Sequence, residues 1–253
     1  MKIEQLVEYV KNRLHLDEWQ AIDSSLNGLQ FSRPQKEVKK VVCAVDASLA
    51  TFEKAAQLKA DAIFVHHGLF WGQPLSVTES HYRRLEVLFK NDIALIATHL
   101  PLDAHPSLGN NATMASLLKL EQVEPFGLYK GKFIGYKGTF PTAVEIDSIT
   151  QRLNLSEQTG LKVLPFGKEK IKSVGIVSGG APNEVLEAID LGLDAYITGE
   201  TSHTMYAYCL EAQINMICGG HYATEVFGVQ QMARDFAENL NLETTFIDLP
   251  TSL

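Results

Sequence analysis

The chain contains one pattern twice, and that repetition limits what it can fold into. Val41-Val42-Cys43-Ala44-Val45 and Val174-Gly175-Ile176-Val177-Ser178 are short apolar runs at an offset of 133 (174 − 41). Asp61-Ala62-Ile63-Phe64-Val65 is echoed at the same offset by Asp194-Ala195-Tyr196-Ile197-Thr198. Between the members of each pair lies helical spacing of apolar residues: Leu49, Phe52, Ala55, Ala56 and Leu58 in one copy, Val185, Leu186, Ile189 and Leu191 in the other. Ser48 suits the N-cap of the first helix and Pro182 the first turn of the second. A third run follows in each copy, Ile93-Ala94-Leu95-Ile96-Ala97 and Ile214-Asn215-Met216-Ile217-Cys218, now at an offset of 121 (214 − 93). The first copy therefore carries extra residues after its second run, from Gly68-Leu69-Phe70-Trp71-Gly72-Gln73-Pro74 onward. Phe70 and Trp71 there either wall a pocket or pack under their own loop. Strand–helix–strand units with apolar strands predict parallel sheets covered by helices, hence an α/β protein with an internal repeat and two lobes.

The segment between the copies, roughly 127–172, reads as a strand over 133–140, a helix carrying Val144, Ile146, Ile149 and Leu153, and a strand over 161–164. Gly127, Gly131, Gly138 and Pro141 punctuate it. A division near residue 126 follows. Residues 1–126 form the first α/β lobe, with His66-His67 and Asp103. Residues 127–253 form the second, with an initial β-α-β segment and His221/Glu225. A helix starting near Asn111 follows the third strand of the first copy. In the second copy a helix follows Glu225, carrying Val229, Met232, Ala233 and Phe236. The last strand spans 244–249.

Metal-binding residue types cluster where the strands end. His66-His67 close the second strand of the first copy. His99 and Asp103 lie four apart after its third strand, and His221 and Glu225 four apart after the third strand of the second copy. Imidazole nitrogen and carboxylate oxygen are the ligand set of zinc, manganese and iron. Parallel α/β sheets bind ligands beyond the carboxyl ends of their strands. If the copies face one another, these side chains converge between the lobes and can hold two cations, with Glu225 suited to bridge them. His66 and His67 point to opposite faces of a regular strand. Both reach one centre only if the chain turns, as Gly68 permits, or if each meets a different ion. Pro101 disfavours a helix through His99 and Asp103, so His99 is either a ligand or a partner of the ligands, and the partner role is favoured. Asp46 and Glu200 are weaker candidates for the site; Glu200 falls at the repeat position of His67 (67 + 133) and reads as a pocket-lining residue. His15, His81, His105 and His203 lack this company and read as surface or supporting groups.

Composition removes several function classes. The formal net charge is −8 and no Lys/Arg-rich block stands out, which argues against nucleic-acid binding, driven as it is by cation contacts to phosphate. The N-terminus alternates charged and apolar residues instead of forming a signal peptide, and no stretch approaches the ~20 apolar residues of a membrane span. Three cysteines, Cys43, Cys209 and Cys218, form no C-x-x-C pair. They predict a reducing cytoplasm, buried thiols at Cys43 and Cys218, and no zinc–thiolate chemistry. No G-x-x-x-x-G-K-[ST] loop is present. Gly179-Gly180-Ala181-Pro182 before a helix is a weak anion-binding pattern.

His66-His67-Gly68-Leu69-Phe70-Trp71, the block from Thr98 to His105 with Gly109-Asn110-Asn111, and Gly220-His221-Tyr222-Ala223-Thr224-Glu225 resemble the signature blocks of the NGG-interacting-factor-like family. Its members are often labelled GTP cyclohydrolase 1 type 2 homologues. Asn27-Gly28-Leu29-Gln30 and Thr198-Gly199-Glu200 match it too. The resemblance covers nearly the whole chain, in the short bacterial form that lacks a long central insertion. It implies two α/β lobes with two divalent metal ions per chain between them, held by His66, His67, Asp103, His221 and Glu225, and a toroidal homohexamer. It also implies a dinuclear-metal-dependent hydrolase of GTP cyclohydrolase 1 type 2 kind. The residues themselves then suggest that metal-bound hydroxide attacks a small nucleotide-like or heterocyclic substrate while His99 or Glu200 moves protons. The alternative is a ring-forming metal-binding scaffold without turnover.

Overall fold

The computed structural model describes residues 1–33 and 37–253. Among the described residues the strands are β1 (Gly28–Phe31), β2 (Lys40–Asp46), β3 (Ala62–His67), β4 (Ala94–Ala97), β5 (Glu121–Tyr129), β6 (Lys132–Val144), β7 (Lys162–Pro165), β8 (Ile171–Ile176), β9 (Ala195–Thr198), β10 (Asn215–Cys218) and β11 (Glu243–Phe246). The α-helices are α1 (Ile3–Arg13), α2 (Leu49–Gln57), α3 (Glu79–Asn91), α4 (Leu100–Ala104), α5 (Asn110–Leu118), α6 (Ile146–Arg152), α7 (Val185–Asp190), α8 (His203–Ala212) and α9 (His221–Leu240). None is long and apolar enough to cross a membrane. Two compact units result: Met1–Leu102 with Gly228–Leu249, and Asp103–Phe227 with Pro250–Leu253.

In the first unit the sheet order is β1-β4-β3-β2-β11. β11, β2, β3 and β4 run parallel, and β1 closes the edge antiparallel to β4. The run Val41 to Val45 in β2 is buried throughout, as a strand covered on both faces requires. Side chains alternate between those faces. Val42, Ala44, Ile63, Val65 and Leu95 pack with Phe52 of α2 and Leu88 of α3. Phe64 turns the other way and meets Phe236 of α9 edge-on, ring centroids 5.4 Å apart. Ser48 is the N-cap expected of it, its Oγ accepting from the Thr51 N–H at 3.1 Å. On the Phe236 side, α1 is tied to α9 through Asp235, which accepts from the Tyr9 hydroxyl at 2.6 Å and from Arg13 Nε at 3.1 Å.

In the second unit the order is β5-β6-β8-β9-β10-β7. β8, β9 and β10 are parallel; β7, β6 and β5 each join antiparallel. One face packs Val174, Ile197 and Ile217 with Met114 and Leu118 of α5 and Ile149 of α6. On the other lie Phe126 and the fully buried Tyr196, centroids 6.0 Å apart.

The repeat thus pairs β2-β3-β4 with β8-β9-β10, and it extends further than the apolar runs reveal. β1 and β7 each precede the trio and each add antiparallel to its third strand. Both copies use the same aspartate to join the starts of two strands. Asp61 Oδ2 accepts from the backbone N–H groups of Lys39 and Lys40 at 2.9 and 3.0 Å. Asp194 Oδ2 accepts from those of Lys172 and Ser173 at 2.9 and 3.0 Å. Arg33 pairs with Asp61, and Lys168 with Asp194 at 2.6 Å. Burial alone would raise both carboxyl pKa values, but these cations and N–H donors outweigh it and hold both below the ordinary aspartate value.

Four local expectations change. Residues 103–126, placed by the sequence pattern in the first lobe, pack with the second unit, because the apolar face of α5 lies on β6 and β8. β5 crosses position 126 and pairs with β6, so that position is inside a hairpin. Pro182 lies ahead of α7 instead of in its first turn. α9 begins at His221 and includes Glu225, which was expected to precede the helix.

The two aspartates generate a prediction. A carboxyl whose folded pKa is depressed contributes stability above its unfolded value near 4, and that stability is lost as pH falls through the folded value. Acid unfolding followed by circular dichroism is expected to start at higher pH in Asp61→Asn than in the parent. At neutral pH, Asp61→Ala should cost about 1–3 kcal/mol, since the Lys39 and Lys40 N–H groups lose their acceptor and buried Arg33 keeps only Asp92. Asp194→Ala should cost about 1–3 kcal/mol, because its partner Lys168 is exposed to water.

Candidate functional site

Each unit gathers metal-binding residue types at the carboxyl ends of its parallel strands. In the first unit β3 ends in His66 and His67, and His99 follows β4. His66 is fully buried and its Nδ1 is 3.0 Å from the Thr98 carbonyl oxygen. His67 Nδ1 is 2.9 Å from Asp46 Oδ1, at the end of the neighbouring strand β2. His99 Nδ1 is 2.9 Å from Asp23 Oδ1. The His66 and His67 rings lie 4.6 Å apart, so the end of β3 brings both to one place instead of to opposite faces. The three imidazoles each offer a ring nitrogen within 4.8 Å of the other two. Gly68 is needed beside them: a Cβ there would collide with the Gln30 amide and lie 2.6 Å from Ala97 Cβ. Gln30 Oε1 meanwhile accepts from the Leu69 N–H at 2.7 Å, which fixes the start of the inserted loop.

That loop settles the two readings of its aromatics differently. Phe70 joins the core packed under α2 and α3 and meets His81 edge-on. Trp71 instead stands against the cluster, its ring 4.9 Å from His99 and 5.9 Å from His67.

In the second unit Asp103, His221 and Glu225 come together. Asp103 is 5% exposed, and its Oδ1 accepts from Asn110 Nδ2 at 2.9 Å and from the Ser178 hydroxyl at 2.8 Å. Asn111 Oδ1 accepts from the Ser178 N–H at 2.7 Å, locking the end of β8 to α5. Asp103 and Glu225 offer carboxylate oxygens within 4.8 Å of each other. His221 and Glu225 sit one turn apart on α9, Nε2 to Oε1 3.3 Å. His221 Nδ1 is 2.5 Å from Glu200 Oε1. Burial would lower the His221 pKa, but Glu225 and Glu200 reverse that and hold it at about 9.

The two four-residue pairs are alike in sequence and different in structure. His221 and Glu225 share a helix face. His99 precedes α4, and Pro101 occupies the first turn of that helix, where its missing N–H leaves no intrahelical bond unmade. Asp46, at the end of β2, and Glu200, just after β9, each anchor an imidazole, Asp46 that of His67 and Glu200 that of His221. His105 is buried and accepts from the Leu108 N–H at 3.0 Å, a local structural role; His15 and His203 are exposed. Three supporting residues have no sequence signal of their own: Asp23, Thr98 and Ser178. They act through side chains or carbonyls far away in the chain.

In the Gly179-Gly180-Ala181 turn, N–H groups are already taken within the chain, the Ala181 N–H by the Gly179 carbonyl at 3.2 Å. Gly179 N–H donates to Thr224 Oγ1 at 3.0 Å, and its carbonyl accepts from the N–H groups of Gly199 and Glu200 at 2.9 and 3.1 Å. Gly179 has φ +67°, and a Cβ there would collide with Glu225 Oε1. Its bareness makes room for the carboxylate.

The donor set fits a divalent transition-metal ion. An imidazole whose Nδ1–H is held by an oxygen presents its Nε2 lone pair to a metal, the arrangement usual at zinc sites. His66, His67, His99 and His221 all have Nδ1 on an oxygen. Gly179→Ala is expected to displace Glu225, weakening zinc binding in calorimetry at least tenfold, and to lower stability by about 1–2 kcal/mol through its positive φ.

The chain has relatives among known proteins. The family model described as Duf34/NIF3 (NGG1p interacting factor 3) matches residues 1–252. A protein of Archaeoglobus fulgidus named GTP cyclohydrolase 1 type 2 homolog is 40% identical over 253 residues, covering 100% of both chains. One of Treponema pallidum with the same name is 38% identical, again over 100% of both. Among solved structures, TTHA1606 from Thermus thermophilus superposes with a TM-score of 0.90 at 36% identity, covering 100% of both chains.

Proposed function

Because the chain belongs to the Duf34/NIF3 (NGG1p interacting factor 3) family, we propose that it is a metal-dependent hydrolase that holds two divalent ions. The ligands in this reading are His66, His67, Asp103, His221 and Glu225, and the ions are zinc, manganese or iron. The observation that carries it is the oxygen anchor on Nδ1 of His66, His67 and His221, the three imidazoles among these ligands. Structural histidines have no need of that uniform orientation; metal ligands do.

When bound, such ions polarise the substrate and lower the pKa of water toward neutrality. The chain's own residues do the rest. Asp46 and the Thr98 carbonyl orient His67 and His66. Asn110 and Ser178 hold one Asp103 oxygen in place. Glu200 orients His221 and, with His99, is the group placed to take and return protons. Trp71 walls the first cluster and offers an apolar surface to a flat heterocycle.

The relatives' printed name suggests a nucleotide-like or heterocyclic substrate of the kind a GTP cyclohydrolase opens. The supporting chemistry here is the donor set alone, since no phosphate loop accompanies it. Self-association into a six-membered ring belongs to the same reading, as does a cytoplasmic setting, which agrees with free, buried Cys43, Cys209 and Cys218. A net charge of −8 weighs against nucleic acid as partner.

The test is metal content after chelation and reconstitution. Two equivalents per chain are expected in the parent. Asp103→Ala combined with Glu225→Ala should lose at least one, and full occupancy in that variant would sink the ligand assignment. Metal uptake must also remove the proton that two carboxylates hold on His221 to about pH 9. Affinity should therefore rise with pH through the neutral range, with proton release on binding visible as buffer-dependent heat.

A further inference from the structure

Asp23 lies outside every motif in the sequence, yet among the described residues of the first unit no other carboxylate beside the cluster is so fully engaged. It is 8% exposed. Oδ1 accepts from the Ser25 N–H at 2.9 Å and faces His99 Nδ1 at 2.9 Å. Oδ2 accepts from Asn27 Nδ2 at 2.8 Å and from the Leu100 N–H at 3.0 Å. Asn27 closes the ring of contacts, its Oδ1 accepting from the His99 N–H at 2.7 Å. His99 is thus gripped at its backbone, its next residue and its ring by one short segment.

An ionised carboxylate can only accept hydrogen bonds. Its partner nitrogen must therefore carry the proton, which leaves the other ring nitrogen as the acceptor. Trp71, edge-on at 4.9 Å, and His66, at 5.2 Å, bracket the same ring and limit its rotation. His99 differs from His66 and His67 in its place: those two end β3 itself, whereas His99 lies two residues beyond the end of β4 and is fixed through its backbone and ring by the Asp23–Asn27 segment.

We propose that Asp23 is a positioning residue for His99: it imposes the Nδ1–H tautomer and presents the Nε2 lone pair to the His66–His67 cluster, making His99 the proton acceptor beside the ligands and not one of them. This rests on the metal-centre reading only for the origin of the proton; the tautomer itself does not depend on a metal. Carboxylate–imidazole pairs act in this manner in hydrolases generally, the carboxylate fixing orientation without itself taking the proton.

The experiment is nitrogen NMR of protein labelled with ¹⁵N-histidine, metal-free and then zinc-loaded, at mildly alkaline pH. The His99 signals are assigned by their loss in His99→Gln. In the parent, Nδ1 should resonate as a protonated nitrogen and Nε2 as an unprotonated one. Asp23→Asn should shift His99 measurably toward the Nε2–H form while zinc stoichiometry stays unchanged in both Asp23→Asn and His99→Gln. An Nε2–H tautomer in the parent, or the same tautomer in Asp23→Asn, overturns the assignment of Asp23. Loss of a zinc equivalent in His99→Gln makes His99 a ligand and overturns its separate role. If Asp23→Asn fails to fold, the parent spectrum and the His99→Gln stoichiometry still decide. If the parent binds no zinc, the metal-centre reading fails while the metal-free spectrum still passes judgement on Asp23.

Discussion

A strand covered on both faces has nowhere along its length to put an unpaired polar side chain, and the rest of this structure follows from that. β2, β3, β4, β9 and β10 are buried nearly from end to end, and β8 is buried over its last three residues. Leaving a polar group there without a partner would cost about 1–3 kcal/mol on the scale of protein mutations and more on hydrocarbon scales. The chemistry is displaced to the carboxyl ends, where the chain leaves the sheet and side chains from neighbouring strands come together. The amino ends are handled differently: there Asp61 and Asp194 each close two backbone N–H groups of the adjacent strand and take a cation in return.

The same displacement explains why the histidines need anchors. An imidazole at a strand end can rotate and exchange its proton between two nitrogens, and neither freedom suits a group that must present one lone pair in a fixed direction. Thr98, Asp46, Asp23 and Glu200 remove both by taking Nδ1. Small residues complete the arrangement. Gly68 lets the chain pass between Gln30 and Ala97, and Gly179 leaves the volume that Glu225 occupies. Positioning groups, ligand candidates and spaces thus come from distinct segments of each unit and meet only because the strands end in register.

Much of this is visible in the order of residues. The offsets of 133 and 121 locate the parallel trios, and the apolar runs mark their strands, because burial on both faces leaves a continuous signature. His66, His67, Asp103, His221 and Glu225 stand out since they follow those runs directly. β1 and β7 are less legible: each is a four-residue edge strand without a sustained apolar pattern. β5 is hidden for a similar reason, with five exposed residues before Phe126. Its concealment also misplaces the lobe division, since the hairpin and α5 belong to the second unit. The likeness of His99/Asp103 to His221/Glu225 misleads because equal spacing means a shared face only where both residues lie on one helix.

The sequence alone determined the α/β class, the internal repeat and the identity of the clustered histidines and acids, because periodicity and adjacency to a strand are properties of the chain itself. Tertiary structure decided which nitrogen of each imidazole is held, that Asp23 belongs to His99 and Ser178 to Asp103, and where one unit gives way to the other. Those contacts join residues up to 76 positions apart. No local pattern records them; they exist only once the sheets have brought the strand ends and their loops together.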